Sequence, residues 1–485
     1  MSGLSWAALA ALLLLLLGTL PYWLPPAVIA LRVRIFAWVG GEQGLPVPGR
    51  RVPATEFKQV YGHPAANGRS RGAALSDLFW YWLSPGPEVH QEHLEPGPRY
   101  EDVARTTRRI LAGLNREQWA ELVTRCTRHV LDEPEAPPGT RTGRARVRQV
   151  RLRDLTMPVW AEVYYELVFR EPCPRQARDL IVANADDVVS ALKCTSLRHL
   201  DRRARLTRYL RDRLDAGEVP VPLPTTLTPE EQAYYLQGTF FNTAIVQMSE
   251  AMAHLLLAIA THPEVRERLL ADPDDAEYLD RVINETLRLY PLFGVAHRIT
   301  SADISRKDRE PLPAGTVLLF NYPGYQGADP ATDQRFDPER WREPKTRPSH
   351  FIPFGVSPNR PCPARGFATL TMRVAAREIL RRHRPYSSAS HSRSLPNRGP
   401  CLLVPRDDAP AFGPWRRTTR LAWMRLADRW AGVPRSITQL VLGTYMVRDA
   451  RRQRLCQRYF DASLNPGVPA GTGGAADARA KEQAR

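Results

Sequence analysis

Cysteine is scarce in this chain and follows no pattern. The six residues, at 126, 173, 194, 362, 401 and 456, form no CxxC pair and no regular framework. That excludes a disulfide scaffold and a zinc module, and dispersed thiols in an Arg-rich chain fit a reducing compartment. No period of repetition is visible, so a solenoid is excluded. The formal net charge of +17 invites an acidic partner, an anionic membrane surface or a nucleic acid. No finger, basic-zipper or RNA-binding signature accompanies it, which argues against nucleic acid. Most of the charge reads as solvated helix faces.

Charge is also missing from one long stretch. No charged residue occurs from Leu4 to Leu31, and Leu12 to Leu17 is unbroken leucine. A run of that length can cross a bilayer. Trp6, Tyr22 and Trp23 suit the two interfaces, and Pro21, Pro25 and Pro26 predict that the helix ends near them. Arg32, Arg34, Arg50 and Arg51 follow the run, so the positive-inside bias keeps the bulk of the chain cytoplasmic. A cleaved signal peptide is the competing reading, but the run lacks a basic leader. The expectation is a single-pass anchor over 1–31 and a stiff proline-rich connector over 32–74.

The remainder is long and 43% hydrophobic overall, enough for a sizeable core. Apolar spacing predicts helices at Tyr100–Leu114, Gln118–Leu131, Trp160–Phe169 and Leu197–Leu214. Pro134–Arg146 reads as a loop. Thr228-Pro-Glu-Glu opens a further helix, with threonine at the cap. From Gln232 to Ala260 that helix is apolar nearly all round, hence buried, and His262-Pro263 stops it. Leu312–Phe320 reads as a turn and a buried strand, Pro363–Arg382 as a helix and Cys401–Pro405 as a strand. The fold class is mainly α with minor β.

Three separated segments carry chemistry. Glu285-Thr-Leu-Arg288 places a carboxylate and a guanidinium on one helical face. Phe336-Asp-Pro-Glu-Arg340-Trp341 supplies a second arginine in a rigid turn. Phe351-Ile-Pro-Phe-Gly-Val-Ser-Pro-Asn-Arg-Pro-Cys362 is a Pro/Gly loop leading to a cysteine expected at a helix start, where the dipole and backbone N–H groups favour a thiolate. Each segment alone has a plain structural reading: a surface ion pair, a turn, an inert buried thiol.

In this order the three motifs resemble the cytochrome P450 family, over about 232–406 and more loosely back to residue 75. The resemblance implies a P450-like haem domain over 75–408, with haem b and Cys362 as the iron's axial thiolate. It makes Glu285, Arg288 and Arg340 an ion-pair network beneath the haem. It matches Arg298 and Arg360 to propionate-binding arginines and Phe354 to the aromatic beside the sulfur. His297 reads as a pocket or surface residue rather than an iron ligand. The sequence departs from the pattern in three places. There is one residue more than usual between Phe354 and Cys362, with Ser357 in place of a glycine, and Ala364 replaces the glycine two after the cysteine.

A further departure lies in the central helix. The family's acid-threonine pair aligns with Val246-Gln247, and Thr243-Ala244 matches the small pair upstream. Gln247 can hydrogen-bond a distal ligand but cannot act as an acid. Thr239, Asn242-Thr243 or Ser249 could substitute if the helix carries a bulge; otherwise these groups bond back to the preceding turn. The expected function is a monooxygenase acting on a small to medium hydrophobic metabolite, such as a lipid, terpenoid or polyketide. It would be served by an acidic ferredoxin or flavoprotein. Two other readings are a haem-thiolate isomerase, dehydratase or peroxygenase, and an inactive membrane scaffold. His90 and His93 lack a known metal-ligand pattern. Trp119 with Arg125 or Arg128 is a loose match to the family's propionate helix. Over 409–464, Trp415–Trp430 and Ile437–Phe460 predict two basic amphipathic helices, on a membrane surface or against the domain; 465–485 reads as a disordered tail.

Overall fold

The computed structural model describes residues 3–40, 44–69, 74–83, 94–133, 147–329, 333–406 and 413–464. The loop at 134–146, the histidines at 90 and 93 and the tail at 465–485 lie outside them. Helices dominate, with three small sheets, as expected for mainly α with minor β.

The helix predicted from Thr228 organises the core. It runs through Pro229–Gly238, a π-helical turn at Thr239–Ala244, and Ile245–Thr261. Thr228 Oγ1 accepts the Glu231 N–H at 3.3 Å while the Glu231 carboxylate accepts the Thr228 N–H at 2.9 Å, a reciprocal cap. Pro263 forces His262 out of the helical region and ends the run. With no polar face to turn outward, every residue from Ala251 to Ala260 is buried. Against this helix packs Leu152–Phe169, where Trp160 and Tyr165 are fully enclosed.

The other predicted helices form with shifted ends, as Pro98–Leu111, Arg116–Asp132 and Leu200–Asp215. One more, Arg175–Leu192, had no clear apolar signature. Its buried face mixes Ile181 and Val188 with Asn184 and Asp187, and Asp187 is buried because Arg203 Nε donates to it at 2.6 Å. In the first sheet Val317–Asn321 is the centre, parallel to Leu45–Val47 and antiparallel to Val295–Ile299. The second is antiparallel, Pro400–Pro405 lying between Arg148–Arg151 and His383–Tyr386.

Three expectations need correction. The N-terminal helix does not end near Pro21–Pro26; it runs Gly3–Gly40 through all three prolines, supported by the helix that lies along it. The stretch 32–74 is not a spacer. Leu45–Val47 joins the sheet, and Val52, Phe57, Val60 and Tyr61 are almost fully buried, because its apolar residues fill a second core cluster with Leu318 and Phe320. The C-terminal extension is not a pair of helices at the predicted bounds. One helix, Pro414–Gln453, passes through Pro434, and a short one follows at Leu455–Leu464.

Candidate functional site

The loop before Cys362 is built by short local closures. Gly355 N–H donates to Ile352 O at 3.1 Å, Asn359 N–H to Val356 O at 3.1 Å, and Cys362 N–H to Phe354 O at 3.0 Å. Gly355 has φ +76°, and a Cβ there would stand 3.4 Å from the Tyr61 hydroxyl, so glycine suits both backbone and space. Ser357 Oγ accepts Arg365 Nη1 at 2.9 Å, bracing the loop across Cys362. The helix expected to start at Pro363 begins at Ala368. Residues 363–367 form turns instead, closed by Arg365 N–H donating to Cys362 O at 3.3 Å and Phe367 N–H to Ala364 O at 2.9 Å, so the cysteine sits ahead of the helix rather than at its start.

Cys362 lines an apolar cavity of about 200 Å³ together with Phe354, Gly355 and Ala364. Burial pushes the thiols of Cys126, Cys173 and Cys194 up, and that of Cys401 up to about 12; none of these lines the cavity. Tyr164 does. Burial raises its phenol, and the Cys362 sulfur nearby adds to the rise.

Strand periodicity delivers the arginine. Neighbouring residues on Val295–Ile299 face opposite ways, so Ala296 and Arg298 line the cavity while His297 turns away. His297 Nε2 lies 2.8 Å from Arg69 O and 3.1 Å from Ser76 Oγ, and its ring stacks on Phe79. Arg298, 1% exposed, donates to Tyr61 Oη at 3.1 Å, and Tyr61 Oη lies 2.8 Å from Tyr322 Oη. Arg360, 6% exposed, donates to Asn67 O at 3.0 Å and Leu94 O at 2.7 Å, with its guanidinium over Tyr100. Sequence reasoning missed Tyr61, because its surroundings read as a connector.

The central helix closes another wall with Thr239, Phe240, Thr243, Ala244, Gln247 and Met248. The bulge that would bring extra hydroxyls inward is present as the π turn, a feature often found at functional sites. Val246 is buried outside the lining. Ser249 Oγ donates to Ile245 O at 2.7 Å, a bond within its own helix. The Thr239 hydroxyl is buried without a hydrogen-bond partner among the described residues.

Glu285, Arg288 and Arg340 meet, but outside the cavity lining. The Glu285 carboxylate, fully buried, accepts Arg288 Nε at 2.8 Å and Nη2 at 2.7 Å, Arg340 Nε at 3.0 Å, Trp341 Nε1 at 2.9 Å and Asp337 N–H at 2.9 Å. The network ties the turn at 333–341 to the helix Ala276–Leu289. Trp119 Nε1 donates to Thr371 Oγ1 at 2.7 Å, while Arg125 and Arg128 pair with Glu166 and Glu378 away from the cavity.

Residues 224–406 match the family model described as Cytochrome P450. Over these residues the chain resembles the cytochrome P450 family. It is 30% identical over 161 residues to cytochrome P450 3A31 of Mesocricetus auratus, and 33% over 153 residues to cytochrome P450 3A12 of Canis lupus familiaris. Each alignment covers 27% of this chain and 30% of the relative's length. Among solved structures, a variant of cytochrome P450 OleT in complex with arachidonic acid superposes with TM-score 0.56 at 15% identity, over 72% of this chain and 87% of that one. Cytochrome P450SP alpha in complex with (R)-ibuprophen gives TM-score 0.56 at 19% identity, over 71% and 88%. The fold is the cytochrome P450 fold.

That family implies haem b held through a cysteine thiolate. The donor set fits. Two buried guanidiniums, from Arg298 and Arg360, and one thiol line the same apolar cavity, and no Asp or Glu is among its lining residues. A soft sulfur ligand with two cations for a pair of carboxylates is what such a group requires.

Proposed function

We propose that this protein is a haem-thiolate oxidoreductase that oxidises a small to medium hydrophobic molecule. Cys362 holds the iron, Arg298 and Arg360 hold the propionates, and Phe354 packs beside the sulfur. The observation that carries this reading is that Cys362 shares one apolar cavity with both arginines and with Thr243 and Gln247. Haem, when bound, supplies the redox chemistry. The chain's own residues exclude water with Leu111, Leu287, Phe240 and Met248, which suits a lipid, terpenoid or polyketide. Gln247 and Thr243 orient a distal ligand by hydrogen bonding. The Glu285 network acts at one remove by fixing the turn at 333–341. Electrons would come from an acidic ferredoxin or flavoprotein docking near the exposed Arg365, and the N-terminal helix would associate the protein with a membrane.

A peroxide-driven reaction is the second reading, favoured by a wall that holds no acid. Comparing turnover with reductant and oxygen against turnover with hydrogen peroxide alone separates the two. Gln247→Glu restores an acid at that wall. If proton delivery limits the oxygen-dependent reaction, this variant raises it about tenfold or more and leaves the peroxide reaction little changed. No turnover under either condition by haem-loaded protein refutes the proposal.

A further inference from the structure

The helix Pro414–Gln453 has two faces with different tasks. Its inner face is fixed to the haem domain along most of its length. Met424 packs with Tyr386 and Leu402, and Met446 and Val447 with Tyr81 and Trp82. Ser388 Oγ donates to Leu421 O at 2.6 Å, Gln439 Nε2 to Lys193 O at 2.8 Å, and Tyr81 Oη to Asp449 at 2.7 Å.

Its outer face carries Trp415, Trp423, Leu426, Trp430, Ile437 and Val441, each at least 43% exposed. These positions are separated by helical repeats that keep them in one stripe, roughly a third of the circumference. Exposed arginines at 416, 420, 425 and 429 border the stripe. Tryptophan and arginine together around an apolar stripe are the composition of a helix that lies in a membrane interface.

The N-terminal helix lies against this one. Arg429 Nη1 donates to Tyr22 Oη at 2.6 Å, with its guanidinium 4.9 Å from that ring. Farther along, Gly432 faces Pro25. The contacts advance in the same direction, so the two helices run parallel. The apolar window Leu15–Arg32 is only 6% buried. If it crossed a bilayer in this pairing, Arg416 and Arg420, which precede Arg429 by thirteen and nine residues, would be carried to the depth of residues 9 and 13 of the N-terminal helix, within its apolar run. Charges at that depth are strongly unfavourable, and the inner face prevents the C-terminal helix from withdrawing without exposing its own core.

We propose that the two helices lie together in the plane of an anionic phospholipid bilayer, the N-terminal helix embedded along the surface rather than spanning it. This rests on the membrane association proposed above and replaces single-pass topology with a monotopic one.

Two experiments on the full-length protein test it. Membranes from cells expressing the chain with an N-terminal epitope tag are treated with protease without detergent. Loss of tag and haem domain together is expected; a tag protected until detergent is added overturns the proposal and leaves membrane association standing. Purified protein is then sedimented with phosphatidylcholine vesicles with and without phosphatidylserine. Binding should depend on phosphatidylserine and weaken about thirtyfold in the folded double variant Arg416→Gln/Arg425→Gln, as loss of two near-surface charges implies. Unchanged binding of that variant overturns the anionic interface. Binding to neither vesicle overturns both the inference and the membrane reading.

Discussion

Removing the Glu285 carboxylate should be among the most damaging single changes available outside the cavity. Five donors converge on it, from Arg288, Arg340, Trp341 and the Asp337 backbone, and it is fully buried. Glu285→Ala leaves two largely buried guanidiniums facing each other without their shared anion. Breaking a buried pair in this way costs about 3–5 kcal/mol, a large part of the 5–15 kcal/mol or so that holds a typical domain folded. Arg340→Ala is milder. Glu285 keeps its two-bond pairing with Arg288, and only about 1.5–3 kcal/mol of charge-assisted hydrogen bonding is lost. Urea unfolding followed by circular dichroism, together with haem retention on heating, measures the order. Glu285→Ala should lower the thermal midpoint by about 10 °C and shed haem first. A Glu285→Ala unfolding free energy within about 1 kcal/mol of wild type, or a thermal midpoint above that of Arg340→Ala, would refute the reasoning.

Other consequences are smaller or more local. Gly355→Ala places a side chain at φ +76° beside the Tyr61 hydroxyl; it should cost about 1–2 kcal/mol and reduce haem occupancy, and a fully loaded variant of wild-type stability contradicts this. Burial holds His254 and His383 down to about 4 and His391 down to about 2, against the ordinary 6.5. The folded state therefore binds fewer protons than the unfolded chain. Their stabilising contribution is complete above pH 6.5 and erodes as pH falls toward 4, by about 2 kcal/mol for His254 at about pH 5. Urea midpoints that stay flat across that window would show that these rings are not held neutral. Trp119→Phe removes the donor to Thr371 Oγ1 and should cost about 1 kcal/mol, read by the same unfolding assay.

Much of the site was legible because its residues carry strong local chemistry. Cys362, Arg298, Arg360, Phe354, Thr243 and Gln247 all line one cavity, and Glu285, Arg288 and Arg340 converge beneath their turn. What escaped depends on tertiary context. Prolines at 21, 25 and 26 are ordinary helix breakers, yet a neighbouring helix supports the chain through them. Tyr61 sits in a proline-rich stretch and becomes a hydrogen-bond partner of Arg298 only when a strand from near residue 320 covers it. The start of the helix after Cys362 was misplaced because residues 363–367 close as separate turns, with Phe367 N–H donating to Ala364 O, before the helix begins at Ala368. Helix Arg175–Leu192 was hidden by buried polar residues whose partners lie far along the chain.

The central claim is that Cys362 supplies the thiolate to a haem iron in this cavity. The most direct test is the absorption spectrum of the reduced, carbon monoxide-bound protein, recorded for wild type and Cys362→Ser. A thiolate-type band in the wild type that disappears in the variant is the predicted result. A wild-type spectrum without that band, or one unchanged by Cys362→Ser, would contradict the account.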